Sequence, residues 1–95
     1  MLFEWDTEKA RSNLEKHGVS FDLVTTLRWS DGQAVEDRRI DYGERRLLVQ
    51  LEIEGRLYIV VYTTRDDRRR LISLRKANAR EVARYEHEQK KYRGP

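Results

Sequence analysis

Cysteine is absent from this 95-residue chain, which excludes disulfide bonds, thiolate metal ligands and a cysteine nucleophile. No apolar run approaches the roughly 20 residues that a membrane-spanning helix needs. The first residues, MLFEWDTEK, lack the basic-then-apolar order of a signal peptide. We therefore expect a soluble, cytoplasmic protein that has no membrane partner.

Proline and glycine are scarce: Pro95 is the one proline, and the five glycines are scattered along the chain. They form neither a glycine-rich phosphate loop nor a nucleophile elbow. The histidines, His17 and His87, are far apart, and neither has a second histidine or a carboxylate at ligand spacing. We expect no metal site and no cofactor, so any catalysis must come from Lys, Arg, His, Glu, Asp or Tyr side chains.

Charged residues are abundant and unevenly distributed. Residues 1–64 carry nine Lys/Arg against twelve Asp/Glu, a balance of −3, whereas residues 65–95 carry eleven against five, a balance of +6. The formal net charge of +3 therefore originates in the last third of the chain. Such a basic segment suits a polyanion such as nucleic acid, and it suits an acidic protein equally well.

The apolar residues cluster in periodic segments, which predict one α+β domain over residues 1–95. Phe3 and Trp5 are apolar residues that lead into a first helix, which Asp6 can cap and Gly18 can end. A shorter second helix is predicted to begin at Ser20. Its core-facing residues are predicted to be Phe21, Val24 and Leu27.

After residue 33 the apolar period changes from helical to two, which is typical of strands. The predicted strands are residues 33–40 at a polar edge, 46–53, 57–62 and 70–75. Glu54 and Gly55 form a tight-turn signal between the second and third strands. Residues 76–92 have the composition of a helix. The expected fold is two N-terminal helices, a four-stranded antiparallel sheet and a C-terminal helix.

Lys16 and His17 close the first predicted helix. A histidine titrates near neutrality, so His17 can act as a general base or a general acid. The alternative is a polar helix end whose positive charge suits the helix dipole.

Three arginines, Arg45, Arg65 and Arg75, stand at the ends or flanks of three different predicted strands. We expect them to converge on one region of the sheet, where their planar guanidinium groups could grip a phosphodiester. The alternative is solvated charge at the strand ends.

The run Arg68, Arg69 and Arg70 lies beside a predicted turn and could attract RNA through charge alone. A solvated loop is the alternative. Glu81 and Tyr85 lie four residues apart on the last predicted helix and could face the sheet together. Taken alone, Glu81 would be an ion-pair partner and Tyr85 a packing residue.

These residues resemble the BrnT toxin family over residues 3–86 of the chain. The matching residues near the start are Trp5, Asp6, Asn13 and residues 16–21 (KHGVSF). Those near the end are residues 62–65 (YTTR), 72–77 (ISLRKA) and 81–86 (EVARYE). The resemblance implies a RelE-like ribonuclease fold and RNA cleavage that arrests translation. It also implies a BrnA-type antitoxin, which binds operator DNA, so that the toxin reaches that DNA only through its partner.

We therefore expect the toxin of a type II toxin–antitoxin system, acting as a metal-independent endoribonuclease on RNA. Proton transfer is assigned to His17 or Glu81, and contact with the substrate or the leaving group to Lys16. The residues expected to hold the phosphate are Arg45, Arg65 and Arg75. Tyr85 is expected to stack or to donate a hydrogen bond. The residues expected to bind RNA more generally are Arg68, Arg69, Arg70 and Lys76. The alternative function is a non-catalytic basic module that binds protein or nucleic acid.

Overall fold

The computed structural model describes residues 2–26, 34–38 and 43–93 of the chain. Its elements are β1 (Leu2–Trp5), α1 (Thr7–His17), a 3₁₀ helix (Phe21–Thr26), β2 (Ala34–Glu36), β3 (Leu47–Ile53), β4 (Arg56–Arg65), β5 (Arg68–Lys76) and α2 (Ala79–Arg93). Within these ranges, no helix has the length and apolar character that crossing a membrane would require.

The described strands form one five-stranded mixed sheet in the order β1-β5-β4-β3-β2. All neighbours are antiparallel except β1 and β5, which are parallel. The prediction of a four-stranded antiparallel sheet is therefore wrong. The segment that contains Phe3 and Trp5 is an edge strand, in which Phe3 pairs with Arg69 and Trp5 with Leu71. A parallel partner so distant in sequence leaves no local pattern from which it could be predicted.

The prediction of two N-terminal helices is also wrong, because only the first segment is α-helical. Asp6 caps α1 by accepting a hydrogen bond from the Glu8 amide at 2.7 Å, and Gly18 ends it with a φ of 70°. The second segment is a six-residue 3₁₀ helix. Its Thr25 hydroxyl donates to the Asp22 carbonyl at 2.8 Å, a local bond that competes with continued α-helix. Leu27 lies outside the described residues.

The hairpin of β3 and β4 confirms the strongest strand prediction. Its turn places Glu54 at φ 49° and Gly55 at φ 80°, the two positive angles of a type I′ turn. Of the predicted edge strand, residues 34–36 form β2, while residues 33, 39 and 40 lie outside the described ranges. The last helix begins at Ala79 rather than at residue 76, because β5 continues to Lys76.

One face of the sheet packs against α1 and the 3₁₀ helix. The buried residues of this core are Val19, Phe21, Val24, Val49, Leu51, Val60, Tyr62, Leu71 and Leu74. A bulge makes Ile72 the extra residue of β5, since Val61 pairs with Ser73 and Tyr62 with Leu71. Because the bulge shifts the alternation of the strand, Leu71 and Leu74 both reach the core although they are three residues apart.

Asn13 takes the place of a strand partner for β5 beyond the end of β1. Its Nδ2 donates to the Leu74 carbonyl at 2.8 Å, and its Oδ1 accepts from the Leu74 amide at 3.1 Å. The same Nδ2 also donates to the Val19 carbonyl at 3.2 Å. The Asn13 residue is 6% exposed, so these bonds are shielded from water. They fix α1 against β5 and thereby set where Lys16 and His17 stand.

Candidate active site

An open groove of about 220 Å³ lies between α1 and the bulged part of β5. The residues that line it are Lys9, Ser12, Asn13, Lys16, His17, Ile72 and Ser73. Those from α1 follow helical spacing, so they share the face that Asn13 turns toward the strand. The bulge contributes Ile72 and Ser73 from the opposite wall.

Arg75 and Glu81 form a bidentate ion pair beyond this groove. The Nη1–Oε1 distance is 2.7 Å and the Nη2–Oε2 distance is 2.8 Å. The Glu81 carboxylate also accepts a hydrogen bond from the backbone N–H of Asn78 at 2.9 Å. In return, the backbone N–H of Glu81 donates to Asn78 Oδ1 at 2.9 Å. This reciprocal pair is a capping box at the start of α2. One carboxylate therefore orders the helix start and holds the guanidinium in a fixed plane.

The ion pair makes Glu81 a poor proton carrier. The hydrogen bonds from Arg75 are the main reason that the pKa of Glu81 falls to about 2; burial opposes the shift, and the Asn78 amide and the charges of Arg75 and Arg84 add to it. A carboxyl with such a pKa stays ionised near neutral pH and is a weak base.

His17 is better suited to accept a proton. Burial lowers its pKa below 6.5, and the positive charges of Lys16 and then Arg75 lower it further. The imidazole is therefore mostly neutral at pH 7, which is the form that accepts a proton. The charge of Arg75 is the smallest of these three causes.

Arg45 and Arg65 do not join this group. Arg65 pairs with Arg68 at one end of the β4–β5 hairpin, whereas Arg75 pairs with Ile59, roughly 20 Å further along the strand. The Arg45 carbonyl accepts from the Thr63 hydroxyl at 2.8 Å, which places Arg45 near the Arg65 end. Its side chain is 72% exposed and lies 3.9 Å from Glu36. The expected convergence of three arginines is not observed.

The basic run makes specific contacts with β1. Arg68 and Arg70 both approach Glu4, with Nη1–Oε2 distances of 3.8 Å and 3.7 Å. The Arg69 guanidinium lies over two rings, 6.0 Å from the Phe3 centroid and 5.7 Å from the Tyr62 centroid. The run therefore helps to hold the parallel edge strand in place, a role that the sequence analysis missed.

The two remaining predicted residues flank the ion pair. Tyr85 is half-buried on α2, one turn after Glu81, and Lys76 is exposed at the end of β5. Among the described residues, no three His, Asp or Glu side chains cluster as a metal site would require.

The sequence analysis also missed the groove itself. A readable signal was present: Lys9, Ser12 and Lys16 have the spacing of one helical face, yet all three are polar. The capping box of Asn78 and Glu81 was readable as well, from an Asn followed by Glu three residues later.

A family model described as "Ribonuclease toxin, BrnT, of type II toxin-antitoxin system" matches residues 5–81. The match spans the groove and the Arg75–Glu81 pair, since α1, β5 and the first turn of α2 all lie within it. No curated protein matches the chain significantly. With most of its length covered by that one model, the chain belongs to the BrnT family of ribonuclease toxins of type II toxin–antitoxin systems.

Proposed function

We propose that this protein is an endoribonuclease that cleaves RNA without a metal ion and thereby inhibits translation. Lys16, His17 and Arg75 are its catalytic cluster, and Glu81 positions Arg75. The observation that carries the proposal is that Lys16 and His17 line the open groove against β5, the strand on which Glu81 holds the Arg75 guanidinium by two hydrogen bonds. The family membership of the chain supplies the reaction class.

In the proposed reaction, His17 accepts the proton of a ribose 2′-hydroxyl, and the 2′-oxygen attacks the adjacent phosphorus. Arg75 and Lys16 stabilise the negative charge that builds up on the phosphate oxygens. The bond from phosphorus to the 5′-oxygen then breaks, and the departing oxygen takes a proton from Lys16. Cationic side chains thus do the electrostatic work that a metal ion does in other nucleases.

Glu81 is a positioning residue in this mechanism rather than the proton carrier. Its low pKa excludes a donor role near neutral pH, and its bidentate grip aligns the Arg75 guanidinium. Tyr85, on the same helix, is proposed to stack on a base or to donate a hydrogen bond to the substrate.

The cations outside the proposed catalytic cluster are proposed to attract RNA rather than to contact the reacting phosphate. These residues are Arg45, Arg65, Arg68, Arg69, Arg70 and Lys76. Attraction at long range requires charge but no particular geometry, so their spread over two ends of the sheet does not weaken it.

Cleavage of a labelled RNA should persist in excess EDTA. The matched control is His17→Gln protein purified in parallel, which should cleave far more slowly and so excludes contaminating nucleases. Loss of activity in EDTA with recovery in Mg²⁺ would contradict the metal-independent mechanism. RNA binding without any cleavage would support the non-catalytic alternative.

The family also implies an antitoxin partner. We propose a BrnA-type antitoxin that binds operator DNA and covers the basic last third of the chain with an acidic or amphipathic segment.

Arg80→Glu, an exposed change at the start of α2, should slow association and weaken its salt dependence, because peripheral charges mainly set association rates. Stopped-flow mixing with the purified antitoxin measures this, and an unchanged rate would place the interface elsewhere. Arg68 and Arg70 are unsuitable here, because reversing their charge would also disrupt their pairing with Glu4.

A further inference from the structure

The cations of this protein differ in whether carboxylates already compensate them. Arg68, Arg70 and Arg75 each lie within 4 Å of a glutamate oxygen, at 3.8, 3.7 and 2.7 Å. In the groove the situation is the opposite. Across the ranges that the structure describes, neither Lys9 nor Lys16 has a carboxylate within ion-pairing distance.

The groove also offers two hydroxyl groups that the fold does not use. Ser12 lines it from α1, and Ser73 lines it from the bulged strand. Neither side chain makes a hydrogen bond within the described part of the protein. The side-chain amide of Asn13, by contrast, is already hydrogen-bonded to Leu74 and Val19.

Distances along α1 separate the roles of the two lysines. Lys9 precedes Lys16 by two helical turns, which is roughly 10 Å along the axis. Because Lys16 adjoins His17 and Lys9 does not, a phosphate at the reacting position is within reach of Lys16 and beyond that of Lys9. A cation at that separation suits the next phosphate of the same chain.

We propose that Lys9, Ser12 and Ser73 form a subsite for the sugar–phosphate backbone of the nucleotide next to the scissile phosphate. The RNA then runs along α1, from His17 toward Lys9, instead of across the Arg68–Arg70 run. This inference rests on the proposed function, since it places the same substrate in the same groove. Lys9 binds the substrate but does not touch the reacting atoms.

The test compares Lys9→Gln with Lys90→Gln, which removes the same charge from an exposed position on α2. Lysine and glutamine have similar helix propensities, so both variants should fold. Binding is measured by fluorescence anisotropy at several salt concentrations, with a short single-stranded RNA whose 2′-hydroxyls are replaced by fluorine and which therefore cannot be cleaved.

Lys9→Gln should raise Kd roughly fourfold near physiological salt and reduce the slope of log K against log salt by about 0.7, the loss of one phosphate contact on a single strand. Lys90→Gln should leave both unchanged, and Lys9→Arg should restore the slope. With cleavable RNA, KM should rise for Lys9→Gln while kcat stays within about twofold.

Equal behaviour of Lys9→Gln and Lys90→Gln, with wild-type cleavage intact, would overturn the subsite and leave the proposed function standing. A slope that depends on Lys9 in a protein that never cleaves RNA would leave the RNA-binding groove standing and overturn the proposed function. A fall in kcat larger than the rise in KM would also overturn the assignment, because it would place Lys9 at the reacting phosphate.

Discussion

His17→Gln should lower the rate of RNA cleavage by about 100-fold to 1000-fold, measured in single-turnover experiments. Glutamine retains polarity and approximate size but cannot take up the proton of the 2′-hydroxyl. In the wild-type protein, the rate should fall as the pH drops through the pKa of His17, because the protonated ring is no longer a base. That pKa lies below 6.5, so the decline should begin on the acidic side of neutrality.

The chain contains its own control for this experiment, since His87 is the second of its two histidines and is exposed on α2. His87→Gln should cleave at the wild-type rate. A His17→Gln protein that is folded by circular dichroism and still cleaves as fast as His87→Gln would remove His17 from the mechanism.

Asn13→Leu should destabilise the fold by on the order of 3 kcal/mol, because it leaves the Leu74 amide and carbonyl without their partner. Leu74 is fully buried, so water cannot replace the lost bonds. For a domain of this size the change corresponds to a fall in melting temperature of roughly 15 °C.

Asn78→Ala provides the comparison, because it removes an asparagine of similar hydrogen-bonding capacity from an exposed helix cap. It should cost only about 1 kcal/mol. Thermal melting of both variants measures the difference. Equal melting temperatures would mean that the edge of β5 does not depend on the Asn13 side chain.

The predictability of the fold depended on how local each signal was. The β3–β4 hairpin and α1 were predicted because alternation, a tight turn, a cap and a terminating glycine are all written in neighbouring residues. The parallel strand β1 was missed because its partner begins at Arg68. The second predicted α-helix is a 3₁₀ helix, because the spacing of Phe21 and Val24 fits either kind of helix and Thr25 disfavours a longer α-helix.

The predictability of the candidate site shows a different limit. His17 and Arg75 were named from their chemistry and Glu81 from the family resemblance, but the sequence could not decide whether His17 or Glu81 carries the proton, because pKa depends on contacts. The convergence of Arg65 with Arg75 was, by contrast, excludable in advance. Both residues lie at or near the C-terminal ends of consecutive antiparallel strands. Such strands have their C-terminal ends at opposite ends of the hairpin.

The Asn13–Leu74 contact joins residues 61 positions apart, and β1 likewise pairs with β5, which is far later in the chain. During synthesis, α1 therefore emerges with no strand edge against which to dock, and the groove has only one wall until β5 has followed. The charge of Arg75 can act on His17 only after β5 has been synthesised. Under the proposed mechanism, a nascent chain that ends before β5 lacks both the second wall of the groove and Arg75, and it should not cleave RNA.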